Sequence, residues 1–173
     1  SLHDDVLATE RVLERQSGDV LLVGHSWAGA VITEAGNAHN VKGLVYLSAL
    51  VPDGGESVSD ALTRLNAPMT GMAADNKGFI WLDNPDAFHQ VMANDVPLPR
   101  ARLLAAAQQP IAANAFSEKI SQPAWRSKPA WYLLTENDHA LSPSVQALFA
   151  SEIGARITRL QSSHLSMVSH PQA

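Results

Sequence analysis

Two kinds of apolar spacing alternate along this chain. In SLHDDVLATERVL, Leu2, Val6 and Leu13 recur on one helical face, Ser1 stands where an N-cap belongs, and Asp4 and Asp5 suit the positive end of a helix. A first helix is predicted there, stopped at Ser17-Gly18. Asp19 to Gly24 is a short, almost wholly apolar run of the kind buried on both faces of a parallel sheet. A helix from about Trp27 to Ala38 follows, then a strand from Val41 to Leu50, broken by Pro52-Asp53-Gly54-Gly55. Between Ser57 and Lys128 the alternation is lost, and short helical patterns at Pro85 to Ala93 and Pro99 to Gln109 stand between Pro, Asn and Gly. Ala130 to Thr135 resumes the strand pattern, Ser142 to Ile153 reads as a capped helix, and Ala155 to Gln161 alternates as a last strand. The order βαβ, insertion, βαβ predicts an α/β fold with a mostly parallel sheet flanked by helices. Residues 1–56 and 129–173 would form the core, and residues 57–128 an insertion with short helical patterns.

Composition narrows what such a fold can do. The chain has 173 residues, room for one domain that buries roughly two thirds of its unfolded surface. With 12 Lys and Arg against 17 Asp and Glu there is no basic patch for phosphates, so no nucleic-acid partner is expected. The absence of cysteine removes disulfides and thiolate nucleophiles. No apolar run approaches the roughly 20 residues that span a bilayer, and SLHDDV is not a basic-then-apolar leader, so a soluble chain is expected, in the cytoplasm or exported. No His-x-x-x-His, paired-carboxylate or glycine-rich phosphate pattern occurs, which predicts no metal and no cofactor.

The candidate chemistry begins at VLLVGHSWAGAVI. At a strand-to-helix turn the first helical amides have no partner, and a serine held there meets donors and a positive dipole end. A turn tight enough to project that side chain crowds the positions two before and two after it. Gly24-His25-Ser26-Trp27-Ala28 has small residues at both, and matches the nucleophile elbow G-x-S-x-G with alanine for the second glycine. The plainer alternative, a serine that only caps the helix, is weakened by the strand before it and the helix after it.

A serine nucleophile needs a base, and the base needs an acid. Of seven histidines, His3, His39 and His89 fall in or beside polar helices and are read as solvent-facing. His25 supports the elbow, and His139 beside Asp138 reads as a turn residue. His164 follows the last strand, at the carboxyl edge where open α/β sheets place their ligands, and is the favoured base, with His170 second. Asp138 is the favoured acid because the order Ser, Asp, His goes with the elbow motif. Glu136 is the alternate and Asp53, better read as a turn residue, the third.

VLLVGHSWAG, YLLTENDHALSP and SSHLSMVSHP together resemble the α/β-hydrolase superfamily, in particular the subgroup of plant-type methylesterases, hydroxynitrile lyases and related bacterial esterases. The likeness spans the whole chain. It implies that Ser26 attacks an ester carbonyl, His164 acts as base and then acid, Asp138 orients His164, and the Trp27 amide helps to hold the oxyanion. It also implies a helical lid over the serine. Met69, Met72, Phe79, Ile80, Trp81, Phe88, Val91 and Met92 concentrate apolar bulk in that segment; most should pack the cap itself. A minority should face the serine, and Met69, Met72, Phe79, Trp81 and Phe88, with His25 and Trp27, are the candidates to line a pocket for a small or medium apolar ester.

Two departures shape the expectation. The subgroup's lyases carry a lysine shortly after the histidine, whereas His164 is followed by Leu165, Ser166 and Met167, which disfavours cyanide chemistry. The family's sheet also begins with strands ahead of the first helix seen here, one of them supplying the second oxyanion amide, and ends in a closing helix. The expectation is that Val20 to Val23 forms an exposed apolar edge, covered by the rest of a longer protein or by another chain, as in a homodimer. Without the second amide, turnover would fall roughly 10² to 10³-fold. The leading expectation is a serine esterase working through an acyl-enzyme. The alternatives are a noncatalytic ligand-binding protein on the same fold, or another serine-triad chemistry such as C–C hydrolysis or perhydrolysis.

Overall fold

The computed structural model describes residues 1–173. Helix α1, Leu2–Leu13, opens with a capping box in which the Ser1 hydroxyl accepts the Asp4 N–H and the Asp4 carboxylate accepts from the Ser1 amine. Leu2, Val6 and Leu13 are its buried residues, as their spacing predicts. The helix ends at Leu13 and not at Ser17-Gly18, because the buried Asn40 amide donates to the Leu13 carbonyl at 2.9 Å and so caps it from a distant part of the chain. No helix is long and apolar enough to cross a membrane.

Four parallel strands form the main sheet in the order β1-β2-β5-β6. These are β1 (Val20–His25), β2 (Val41–Leu47), β5 (Ala130–Thr135) and β6 (Arg156–Leu160). Between β1 and β2 runs α2 (Ala28–Ala35), and between β5 and β6 runs α6 (Pro143–Glu152), capped by Ser142. The pairs His25–Leu47, Leu47–Leu133 and Thr135–Leu160 bring the carboxyl ends of all four strands to one rim. The loops carrying Ser26, Ser48 to Asp53, Asp138 and His164 all leave from that rim.

The two faces of this sheet differ. Leu22, Leu44, Tyr46 and Tyr132 share one face through register, and α2 packs on it: a Cβ at Gly24 would meet Ile32, and one at Gly36 would meet Leu44. Leu21, Val23, Val45 and Trp131 share the other face, on which Leu21 is 61% and Val23 54% exposed. The expectation that Asp19 to Gly24 is buried on both faces is therefore corrected, since only the α2 side of β1 is covered. β1 lies at the edge of the sheet, as the family resemblance implied, and β6 lies at the other edge with four of its five residues exposed.

The segment between β2 and β5 contains α3 (Val58–Arg64), a two-residue antiparallel ribbon of β3 (Phe79–Ile80) and β4 (Ile111–Ala112), α4 (Pro85–Met92) and α5 (Leu98–Ala106). Two 3-10 turns follow, at Ala113–Ser117 and Ala124–Arg126. Its packing divides it. Val58, Ala61, Leu62, Ile80, Phe116, Ile120 and Ala124 belong to the main core, whereas Phe88, Ala93, Val96, Ala101 and Ala105 form a separate small core between α4 and α5. The portion that packs as its own body is thus the α4–α5 hairpin, narrower than the expected 57–128. Leu165 and Val168, the latter in the last helix α7 (Ser166–Ser169), pack against that small core.

Candidate functional site

Ser26 sits between β1 and α2 with φ of 52°, in the left-handed region that non-glycine residues rarely enter. The turn is held from both sides: the Ser26 N–H donates to Leu47 O at 3.1 Å, and Ser26 O accepts from Leu50 N at 3.1 Å and Gly29 N at 3.0 Å. The need for small neighbours is steric. A Cβ on Gly24 would lie 2.6 Å from the Ala28 carbonyl oxygen, and one on Gly29 would lie 2.5 Å from Leu50 O. The Trp27 amide takes no hydrogen bond, which leaves it free at the start of α2.

Asp138 and His164 meet directly. The His164 Nδ1–H donates to Asp138 Oδ2 at 2.7 Å, with the two residues 1% and 4% exposed. That bond assigns the proton to Nδ1 and leaves Nε2 as the basic nitrogen. Asp138 Oδ2 also accepts from the Thr135 hydroxyl at 2.8 Å and the Gln146 amide at 2.9 Å, while Oδ1 accepts the Ala140 and Leu141 N–H groups, each at 2.8 Å. Burial pushes the Asp138 carboxyl up, but the bond to and charge of His164, the Leu141 amide and the Thr135 hydroxyl outweigh it and hold the group below the usual carboxylate range. The network extends further. Thr135 spends its proton on Asp138, so the buried Ser48 hydroxyl donates to Thr135 Oγ1 at 2.8 Å, and Gln146 Oε1 accepts Thr135 N–H at 3.0 Å.

His25 links this pair to the elbow. Its ring centroid lies 4.6 Å from that of His164, and its Nε2–H donates to the His164 carbonyl at 2.8 Å. Burial, with the neighbouring His164, lowers its pKa from 6.5 to about 4, so the ring is neutral near pH 7. Ser26 is the next residue. Its hydroxyl and the His164 Nε2 are not hydrogen-bonded to each other, and neither is among the buried side-chain atoms that lack a partner.

The other candidates are placed elsewhere. Glu136 turns to Arg159 on β6 and to Gln161 just after it, and Asp53 pairs with Arg126 at 2.6 Å and accepts its own turn's Gly54 N–H. His3 and His39 are exposed, but His89 is half-buried and donates from Nε2 to Val96 O at 3.0 Å, which corrects its reading as solvent-facing. His139 donates to Gln90 O, and His170 faces Asp95. Among the proposed lining residues, the Trp27 indole N–H donates to Asp5 at 2.9 Å and its ring packs on Phe116, so this side chain is committed to α1 and the core. Phe88 is enclosed in the α4–α5 core and is a packing residue of that hairpin. Met69 packs against the main core, while Met72, Phe79 and Trp81 are exposed, the last donating to Asp75. These side chains are thus spread over three environments.

Two surface cavities, of about 670 and about 460 Å³, lie away from these residues. The larger is an open furrow of charged side chains around Asp53, Glu56, Arg64 and Glu152; the smaller lies between α1 and Glu34, and neither is walled by Ser26 or His164. No group of three His, Asp or Glu side chains is disposed to hold a metal ion. Sequence reasoning missed Ser48, Thr135 and Gln146. A signal existed for Gln146, which lies beside Val145 and one turn from Phe149 and Ala150 on the buried face of α6.

Proteins of similar sequence and fold are known. An alpha/beta hydrolase of Aspergillus novofumigatus is 29% identical over 185 residues, covering 97% of this chain and 73% of its own length. A pyrethroid hydrolase from Sphingobium faniae superposes with a TM-score of 0.81 at 21% identity, over 96% of this chain and 72% of that one. An extracellular alpha/beta-hydrolase from a Paenibacillus species, described as sharing structural and functional homology with tobacco salicylic acid binding protein 2, gives a TM-score of 0.79 at 22% identity, over 95% of this chain and 72% of that one. The profile of the alpha/beta hydrolase family matches residues 1–173, and the chain belongs to that family.

Proposed function

We propose that the chain is a serine hydrolase that cleaves carboxylic esters of small to medium, largely apolar substrates through an acyl-enzyme intermediate. In this reading His164 Nε2 takes the Ser26 hydroxyl proton as Oγ attacks the ester carbonyl. The Trp27 amide faces the charge that develops on the carbonyl oxygen. The imidazolium then protonates the departing alcohol, and water, activated by the same nitrogen, releases the acid and restores Ser26.

The observation that carries this reading is the buried Asp138–His164 bond of 2.7 Å, tied through His25 to a serine held at φ 52°. A capping serine needs neither a left-handed backbone nor a histidine whose tautomer is fixed by a carboxylate with four further donors. The Ser26–His164 gap is compatible with the reading, because catalytic hydrogen bonds often tighten only when substrate is bound. The names of the relatives, hydrolases and esterases among them, point the same way.

Ser26→Ala is expected to lower hydrolysis of p-nitrophenyl acetate by on the order of 10⁴-fold or more. A fluorophosphonate should label the unaltered protein at Ser26 and leave the variant unlabelled. Hydrolysis by the variant at the parent rate would overturn the nucleophile assignment.

A further inference from the structure

The α4–α5 hairpin is joined to the two loops that carry Asp138 and His164 by polar contacts from the turn Ala93 to Val96 and from the end of α4. Asn94 Nδ2 donates to the Asn137 carbonyl at 3.2 Å, one residue before Asp138. Asp95 Oδ2 accepts the Ser163 N–H at 2.8 Å, one residue before His164. The turn itself is pinned to α4 by His89 Nε2–H donating to Val96 O at 3.0 Å, and α4 is tied to the acid loop a second time by His139 donating to Gln90 O at 2.9 Å.

Asp95 is the centre of this arrangement. Its carboxylate is reached from the Ser163 amide, the side chains of Ser163 and Ser169, and His170, whose Nδ1 lies 3.7 Å away. Burial pushes its carboxyl up, yet the Ser163 side chain and amide, the Ser169 hydroxyl and the charge of His170 hold it below the ordinary range. Apolar packing repeats the link, since Leu165, directly after His164, and Val168 pack against the small core of Phe88, Ala93, Val96, Ala101 and Ala105. The loop holding His164 is therefore gripped on one side by Asp138 and His25, and on the other by the cap.

We propose that Asp95 is a positioning residue: through the Ser163 amide it sets the His164 loop, so that the cap and the base are placed together. The inference rests on the reading of His164 as the base. Its physical content is that His164 has no covalent constraint on its ring beyond the loop, and a shift of about 1 Å at a catalytic group can lower rates about 100-fold. His170, second in line as a base from the sequence, has its place here as a cationic neighbour of Asp95 when protonated.

The test compares Asp95→Ala, which removes the acceptor, with Asp95→Asn, which keeps an oxygen for the Ser163 N–H. The expected result for D95A is a fall in kcat of about ten- to hundredfold on p-nitrophenyl acetate with KM changed less than threefold, a matching fall in the rate of fluorophosphonate labelling at Ser26, and faster hydrogen exchange at the Ser163 amide. D95N should recover most of kcat and of the amide protection. Should D95A not fold, D95N alone decides, because parent-like kcat with parent-like protection is still required of it. Parent-like kcat and exchange in D95A, or loss of kcat in D95N with the Ser163 amide still protected, would overturn the proposal. Failure of the underlying esterase reading shows separately, as turnover retained by Ser26→Ala.

Discussion

At the scale of single residues, the strongest constraint falls on two side chains whose charge is decided by their surroundings, His25 by burial and Asp138 by the donors around it. His25 is held neutral with a pKa of about 4 against an ordinary 6.5, and Asp138 is held ionised below its ordinary 3.8. Because the folded value of His25 lies below the unfolded one, the unfolded chain binds that proton first as pH falls. Its contribution is whole above about pH 6.5 and is lost progressively towards about pH 4. The Asp138 contribution is present above 3.8 and is lost as pH falls below it. His25→Gln, which keeps a donor for the His164 carbonyl but cannot take a proton, should therefore lose less stability on acidification. Denaturant unfolding at pH 7 and pH 5 should show a difference of up to about 2 kcal/mol between the two proteins, and equal losses would contradict the assignment of a depressed pKa to His25. The sequence singled out Ser26 and His164 as candidates through strand-to-turn patterns, and Asp138 through the Ser, Asp, His order that goes with the elbow. Thr135 and Asp95 were not, since each is an ordinary polar residue until the chain folds, and Gln146 was marked only by its place on the apolar face of α6.

Among the elements, the turn from β1 into α2 is the one whose geometry tolerates least. The left-handed Ser26 brings the start of α2 back over the end of β1, so a methyl group at position 24 would lie 2.6 Å from a backbone oxygen that cannot move without unwinding the helix. Gly24→Ala is expected to cost on the order of 1–3 kcal/mol by thermal or denaturant unfolding and to abolish most turnover. Ala28→Gly should leave turnover intact and cost only about 0.5–1 kcal/mol, from the added freedom of the unfolded chain. A G24A protein with unaltered stability would refute the close approach. The β5, α6 and β6 boundaries follow the sequence nearly residue for residue, because period, cap and turn chemistry agree there. The end of α1 does not, since Asn40, a residue 27 positions away, supplies its cap.

For the whole molecule, packing separates one large core from a small one. The large core joins the helices to the α2 side of the sheet and includes α3 and the 3-10 turns of the insertion; the small one holds α4 to α5 around Phe88. Phe88→Ala should cost about 3–5 kcal/mol within that small core. Limited proteolysis should then cut within residues 82–107 far faster than in the parent, while the main thermal transition shifts little. Cleavage spread over the chain, or an equal shift of the main transition, would show that the hairpin is not a separate cooperative unit.

Local spacing alone was enough to write down a parallel α/β sheet, a serine at a strand-to-helix turn, and an acid and a histidine after the last two strands, because period, capping and turn formation act over a few residues. Only the folded chain decided which face of β1 is covered, that Phe88 and Trp27 serve packing, and that a turn of the α4–α5 hairpin grips the loops of Asp138 and His164. Those outcomes depend on which elements become neighbours, and the free energy of burying a side chain or satisfying a carboxylate is set by neighbours far apart in the sequence, as His25 and His164 are.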